Sequence, residues 1–177
     1  MAHIKCGLIG SIVEGKGYDR IISVLEKNPN IDLLVIGVLW NPAAQPTLDF
    51  LRKKEKELSN LKVELKLLNE SEFEIYAKKV DILLFPYHVI TASGMFCRIA
   101  RYLRPTITWN LPYFKEIEDK YGACLTVNSI DELEKAIIKI NSSQKLRNSL
   151  KEGMKKFVKD TSWGSVAKKH VNLYKNL

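Results

Sequence analysis

Two short segments of this sequence carry the residue types that proteins use to bind phosphate groups. Residues 10–17 hold three glycines and Lys16; glycine lets the backbone approach a ligand closely, and a lysine ammonium is a mobile point charge. Ser93 and Gly94 follow an apolar run and a polar loop, and we expect them to open a helix whose first N–H groups lack a partner within the helix. A helix start of this kind binds anions. These residues therefore favour recognition of a phosphate-bearing ligand.

The glycine-rich loop, residues 10–17, fits neither of two common nucleotide motifs. Its spacing is that of a P-loop, but Gly17 stands where a P-loop has the Ser or Thr that coordinates magnesium, and Asp81 begins its strand instead of ending it. No G-x-G-x-x-G follows the first strand, which argues against a dinucleotide-binding fingerprint. These mismatches disfavour an ATPase, a GTPase or a dinucleotide-binding enzyme. A plain glycine turn with a solvated lysine stays open as the structural interpretation.

The elements that must position these segments alternate between apolar β-type runs and amphipathic helical stretches. This alternation predicts a Rossmann-like, three-layer α/β/α fold with about six mostly parallel strands and extra helices at the carboxyl terminus. The predicted strands are 4–9, 32–36, 63–67, 81–85, 106–109 and 123–127. The predicted helices, besides the one opened by Ser93, are 18–27, 47–58, 71–78, 130–140, 143–159 and 165–174. Ser129 with Glu132 should form a capping box, and Trp163 should pack the terminal helix.

Composition limits the class of protein further. A chain of 177 residues that is 46% apolar can bury one sizeable core, so a single domain over residues 1–177 is predicted. The formal charge of +8 favours anionic ligands, but lysines spread over amphipathic helices do not indicate a nucleic-acid partner. Cys6, Cys97 and Cys124 lack C-x-x-C spacing and should be reduced thiols. With no signal peptide or membrane-spanning run, a cytoplasmic location is predicted, and peripheral contact with the inner face of the membrane stays open.

Seven segments, taken in order along the chain, resemble one known family. They are 10–17, similar to G-R-L-x-x-x-K-G; 33–37, a strand ending in glycine; 67–70; 80–87, similar to A-D-V-x-V-x-P-S; 104–107; a glutamate-containing loop at 111–117; and 162–167, similar to F-S-W-x-x-x-A. In this order and spacing they resemble the C-terminal, donor-binding half of GT-B glycosyltransferases, particularly the group 1 (family 4) retaining enzymes. The resemblance covers nearly the whole chain.

The sequence departs from this family at residues that the family uses for chemistry. The arginine beside the first glycine is Ser11 here. Two glutamates eight residues apart normally bind sugar and ribose hydroxyls in the family. Neither register of the loop supplies a carboxylate, since the pairs are Ile90 with Arg98 or Thr91 with Ile99. A T-x-S-G variant of the donor loop resembles this sequence better, so the missing pair does not by itself imply a loss of activity.

The resemblance implies a domain that binds a nucleoside-diphosphate sugar for retaining transfer of a hexosyl or mannosyl group to an unknown acceptor. Lys16 is the expected catalytic residue, because a cation and fixed N–H groups stabilise the departing diphosphate. The expected donor and phosphate contacts are Gly10, Ser11, Gly15, Lys16, Thr91, Ser93 and Gly94. Further sugar or base contacts are expected at Asn69, His88, Arg98 and Glu116. No D-x-D motif occurs, so neither a metal ion nor a cofactor is expected.

A GT-B enzyme has two such domains, and the resemblance covers one of them. Besides the nucleotide sugar, the expected partner is an N-terminal acceptor-binding domain, in a longer chain or in a partner subunit. This domain alone should bind donor and catalyse little. The alternative is a noncatalytic nucleotide-sugar-binding or protein-interaction module of the same fold, in which the arginine and both glutamates have been lost.

Overall fold

The fold is a six-stranded parallel β-sheet flanked by helices. It is described from a computed structural model, which covers residues 3–176. The strands are β1 (Ile4–Ile9), β2 (Ile31–Gly37), β3 (Leu61–Leu65), β4 (Ile82–Phe85), β5 (Thr106–Trp109) and β6 (Leu125–Val127). Their order in the sheet is β3-β2-β1-β4-β5-β6, and every neighbouring pair is parallel. This is the strand order of Rossmann folds, and it confirms the predicted fold class.

Eight α-helices occur in the described residues. They are α1 (Tyr18–Leu25), α2 (Gln45–Glu57), α3 (Glu70–Lys79), α4 (Gly94–Ala100), α5 (Pro112–Tyr121), α6 (Ile130–Ser142), α7 (Gln144–Asp160) and α8 (Trp163–Lys175). The loop expected at 111–117 is instead the start of α5, so that prediction was wrong. Pro112 occupies the first helical turn, where its fixed φ and missing N–H favour a helix start.

The order of the strands reverses its direction between β1 and β4. These two strands are neighbours, with Cys6 opposite Ile82 and Gly7 opposite Leu83. From β1 the chain builds the sheet outward in one direction, and from β4 it builds the sheet in the other. The loops that follow β1 and β4 therefore run in opposite directions at the carboxyl edge of the sheet. The crevice between them is where ligands bind in such folds. Both segments predicted to bind phosphate belong to these two loops.

An aromatic cluster forms the floor of this crevice. Phe85 ends β4, and its ring packs edge-on or tilted against Tyr87, Phe96 and Phe114, with centroids 5.3 to 6.0 Å apart. Phe157 of α7 continues the cluster from Phe96 at 5.4 Å. All five rings are buried. Because close-packed aromatic rings resist displacement, this cluster fixes the path of the chain from β4 to α4.

The helix caps differ in part from the predicted ones. At α6, Ser129 Oγ accepts a hydrogen bond from Glu132 N at 3.1 Å, but the Glu132 carboxylate accepts from the N–H of Asn128 instead of that of Ser129. The predicted capping box is therefore only half formed. A complete capping box begins α3, where Asn69 Oδ1 accepts from Glu72 N at 2.9 Å and the Glu72 carboxylate accepts from Asn69 N at 3.0 Å.

The last helix, α8, leaves its apolar face uncovered. None of its residues is buried, and the Trp163 side chain is 92% exposed. The expectation that Trp163 packs this helix was therefore wrong. Val171, Leu173 and Tyr174 are also largely exposed on α8. These exposed side chains leave an apolar patch on the surface of α8.

Three further observations concern the described residues 3–176 as a whole. Cys6, Cys97 and Cys124 are all free thiols, as expected. Nowhere in this range do three His, Cys, Asp or Glu side chains come close enough together to hold a metal ion. No helix in it has the length and apolar character needed to span a membrane.

Candidate functional site

The loop between β1 and α1 depends on glycine at the points where it is most closely packed. Gly10, Gly15 and Gly17 have φ angles of 137°, 82° and 72°, which side chains other than hydrogen rarely tolerate. A Cβ atom on Gly17 would lie 1.8 Å from the Pro86 carbonyl oxygen. A Cβ atom on Gly37, at the end of β2, would lie 1.4 Å from the Gly10 carbonyl oxygen. The loops that follow β1, β2 and β4 are thus packed backbone against backbone at the carboxyl edge of the sheet.

Lys16 points from this loop toward the loop behind β4. Its Nζ donates a hydrogen bond to the Tyr87 hydroxyl at 2.6 Å and lies 4.0 Å from the centre of the same ring. Burial lowers the pKa of Lys16 from 10.5 to about 8. No carboxylate of the described residues forms a salt bridge with this ammonium. Lys16 is therefore a partly desolvated cation whose charge is available to an anionic ligand.

One side chain of α1 and one backbone hydrogen bond hold the loop behind β4 against the glycine-rich loop. The Arg20 guanidinium donates to the carbonyl oxygens of Pro86 and Tyr87 at 2.8 and 2.6 Å, and its flat face lies 3.6 Å from the centre of the Trp109 ring. The backbone N–H of His88 donates to the Gly15 carbonyl oxygen at 2.8 Å. These contacts bring Lys16 and Tyr87 together even though 71 positions separate them in the chain.

The second predicted segment opens α4 as expected. Ser93 is the N-cap, and its Oγ accepts a hydrogen bond from Phe96 N at 3.0 Å. Gly94 is the first helical residue, and a Cβ atom built on it would meet no atom within 4 Å, so this helix start faces open space. Thr91 lies exposed in the preceding loop. Gly94 and Thr91 are therefore open to solvent at the start of α4, whereas the Ser93 side chain is buried and its Oγ serves the helix cap.

Arg98 lies on α4 and faces the start of the glycine-rich loop. With Gly10, Ser11 and Met95 it lines a cavity of about 70 Å³. Its guanidinium donates to Glu70 at 3.0 and 2.6 Å and stacks on the Phe73 ring at 3.9 Å. Ligand pockets usually measure roughly 300–1,000 Å³. The cavity at this end of the crevice is therefore smaller than a usual ligand pocket.

The remaining predicted contacts are engaged elsewhere or exposed. The Asn69 side chain caps α3 and hence is occupied by backbone and hydroxyl donors. His88 Nε2 lies 2.8 Å from Asp19 Oδ1 in an exposed pair. Glu116 is exposed on α5, which is helical at this point. Of these three residues, His88 adjoins the glycine-rich loop, because its backbone N–H donates to the Gly15 carbonyl oxygen.

Sequence reasoning missed Tyr87 and Arg20. The only local signal for Tyr87 was its place directly after Pro86 at the end of a predicted strand. Nothing in the spacing of Arg20 points to the loop behind β4, because it lies 66 positions away from Pro86. Both residues act through tertiary contacts, which a single sequence does not display.

The fold and this crevice define the class of the protein: a Rossmann-like α/β domain of the GT-B type with a glycine-rich loop and a lysine at its switch point. The family model for "Glycosyl transferases group 1" matches residues 5–157. The chain belongs to this family, which confirms the resemblance found from its motifs. Among curated proteins, none matches the sequence.

Solved structures share the fold at low sequence identity. The C-terminal domain of a glycosyl transferase group 1 family protein (LpcC) from Francisella tularensis is 18% identical, with a TM-score of 0.69; the alignment covers 91% of this chain and 87% of that one. Sucrose-phosphate synthase from Thermosynechococcus elongatus is 14% identical, with a TM-score of 0.79 over 99% of this chain and 45% of that one. HepE from Anabaena, solved in complex with UDP, is 11% identical, with a TM-score of 0.79 over 99% and 49%. This chain thus spans just under half the length of the latter two proteins.

Proposed function

We propose that this chain is the donor-binding domain of a retaining glycosyltransferase and that it binds a nucleoside-diphosphate sugar without a metal ion. The main support is the environment of Lys16. This partly desolvated lysine forms no salt bridge with a carboxylate of the described residues, and it lies in a glycine-rich loop at the switch point of a group 1 glycosyltransferase domain. The HepE structure, which holds UDP, supports a nucleoside diphosphate as the ligand class. The transferred group that we propose is a hexosyl group such as mannosyl.

The chemistry follows from the charge that develops during transfer. When the bond between the sugar and the diphosphate breaks, negative charge accumulates on the departing phosphate oxygens. The Lys16 ammonium and the backbone N–H groups near Gly94 can stabilise that charge, and a site that excludes water strengthens the interaction. Diphosphate binding should in turn return the pKa of Lys16 toward its usual value, because a nearby anion favours the charged form.

A second domain is needed to complete the reaction. We infer that an N-terminal acceptor-binding half, on the same chain or on a partner subunit, covers the apolar face of α8. The exposure of Trp163, Leu173 and Tyr174 supports this docking surface. The comparison with sucrose-phosphate synthase and HepE supports a missing half of similar size. The isolated domain should therefore bind donor but transfer little sugar.

Isothermal titration calorimetry with UDP, GDP and ADP, each with magnesium and with EDTA, tests the proposal. We expect one nucleoside diphosphate to bind in both buffers and to lose most of its affinity in Lys16→Ala. Lys27→Ala, in the exposed turn that follows α1, is the matched control and should bind normally. Binding that requires magnesium would refute metal independence, and the absence of binding by all three would refute the donor site.

A noncatalytic module of the same fold is the second candidate. The small cavity beside Gly10 and the pairing of Arg98 with Glu70 favour it, since both restrict access to the crevice. This candidate also binds a nucleotide sugar or a protein. Sugar transfer by the domain once its acceptor half is supplied would exclude the noncatalytic candidate.

A further inference from the structure

We propose that Tyr87 is a positioning residue of the donor site, which holds the Lys16 ammonium at the mouth of the crevice and keeps it protonated. This inference rests on the proposed function of Lys16 and adds a residue to which neither the motifs nor the comparisons assign a role. The evidence is geometric: the Tyr87 hydroxyl accepts the hydrogen bond from Lys16 Nζ at 2.6 Å, and the ring lies beneath the same ammonium at 4.0 Å. A buried hydroxyl and a ring face both favour the charged form of lysine.

The tyrosine is itself held rigidly. Its side chain is 2% exposed and packs edge-on against Phe85 and Phe114, with centroids 5.5 and 6.0 Å away. Its carbonyl oxygen accepts a hydrogen bond from Arg20 at 2.6 Å. A lysine has four rotatable side-chain bonds and is normally mobile in water. Fixed to Tyr87, it is instead restricted before the ligand arrives, which lowers the entropic cost of binding.

The Tyr87 hydroxyl stays in its neutral form. Burial raises the pKa of Tyr87, while a hydrogen bond with the Ser93 side chain opposes that rise. The phenol therefore stays neutral and can keep accepting from Lys16. Ser93 in turn caps α4 through Phe96 N. The hydrogen bond between Lys16 and Tyr87 thus joins the glycine-rich loop to the loop that follows β4, which leads to the helix that Ser93 caps.

Other ionisable groups around Lys16 do not replace this role. They are Glu14 on the loop itself, Tyr18, Asp19 and Arg20 on α1, His88 behind β4, Arg98 on α4 and Tyr113 on α5. Asp19 pairs with His88 and Arg98 with Glu70. Burial is the one resolved cause of the lowered pKa of Lys16, and the Tyr87 hydroxyl is the hydrogen-bond partner of its Nζ. Tyr87 is thus the contact through which the ammonium is held in the unliganded domain.

The test is an NMR titration of the Lys16 side chain in the isotope-labelled domain, with the resonance assigned by Lys16→Met. Tyr87→Phe removes the hydroxyl and keeps the ring, so the aromatic packing is retained. We expect the pKa of Lys16 to fall by about one unit, because the ammonium loses its acceptor. Tyr18→Phe is the matched control: Tyr18 is also buried, but its hydroxyl makes only a 3.5 Å contact with the Ser11 carbonyl oxygen.

The second readout is UDP affinity as a function of pH, or that of the nucleotide that binds best. In Tyr87→Phe the pH at which affinity declines should move down with the pKa of Lys16, whereas a merely structural loss would lower affinity equally at every pH. In the wild type, the Lys16 ammonium protons should exchange with water more slowly than those of exposed lysines. An unchanged Lys16 pKa in Tyr87→Phe, or fast exchange in the wild type, would overturn the inference. Because neither of these measurements needs a nucleotide, failure of UDP binding alone would count against the proposed function and not against Tyr87.

Discussion

Replacing Lys16 with methionine should stabilise the isolated domain at neutral pH while removing nucleotide binding. The folded state lowers the pKa of Lys16 from 10.5 to about 8, so the folded protein holds this proton less tightly than the unfolded chain does. A shift of that size corresponds to about 3 kcal/mol, since each pKa unit is worth about 1.4 kcal/mol. Because Lys16 keeps part of its surface in water, and because methionine removes the hydrogen bond to the buried Tyr87 hydroxyl, we expect a net gain of about 1 kcal/mol. Methionine preserves the packing of the aliphatic stem.

The difference in stability between Lys16→Met and the wild type should depend on pH. The charged form is the one that folding disfavours, so the penalty is present in full below pH 8 and disappears as the pH approaches 10.5. Urea unfolding of the wild type and of Lys16→Met at pH 6.5 and pH 10 measures both limits. The variant should be more stable at pH 6.5, and the free energies of unfolding of the two proteins should become similar at pH 10. A less stable variant at pH 6.5, or a gap that is the same at both pH values, would refute the reasoning.

Three other substitutions test separate parts of the account. Gly17→Ala should lower the free energy of urea unfolding by more than about 2 kcal/mol, because its Cβ would lie 1.8 Å from a backbone oxygen. Gly15→Ala should lower it by about 1 kcal/mol, because only its positive φ is unfavourable for alanine. Equal losses in the two variants would show that Gly17 is not closely packed. Glu70→Gln should increase nucleotide affinity several-fold by calorimetry, because Arg98 would no longer have to break its ion pair with Glu70 in order to contact the diphosphate. Unchanged affinity would show that Arg98 does not contact the nucleotide. Trp163→Ser should change stability by less than about 0.5 kcal/mol yet weaken association with the acceptor half; a loss of stability above 1 kcal/mol would show that this side chain packs within the domain.

The regular elements of the fold could be predicted because their apolar periods are local. The predicted strand 106–109 coincides with β5, and the predicted strand 4–9 coincides with β1. The prediction 63–67 was two residues late for β3, because the apolar run continues past the strand into an exposed loop. What fixes the start of β3 is Asn60, whose side-chain amide donates to three carbonyl oxygens, including that of Ile31 at 2.8 Å. Such an anchor depends on tertiary contacts.

The two loops of the candidate site could be predicted from the sequence, but the contacts between them could not. Lys16 and the Ser93 cap follow from residue types at fixed positions near strand ends, and the structure places both at the crevice. The acceptor that Tyr87 provides and the support from Arg20 require knowledge of which strands are neighbours. Trp163 shows the opposite error: an aromatic residue in an amphipathic helix usually packs against its own domain, but the Trp163 side chain lies exposed on α8.

We propose that a nucleoside diphosphate binds between the loop behind β1 and the start of α4. Amide chemical-shift mapping by NMR, with UDP, GDP and ADP added in turn to the labelled domain, is the experiment to perform first. We expect the binding nucleotide to shift the amides of Gly10, Gly15, Lys16, Ser93 and Gly94 together, with and without EDTA. Shifts confined to another surface, such as the polar cavity between Arg104 and Arg147 at the opposite edge of the sheet, would show that the nucleotide binds elsewhere.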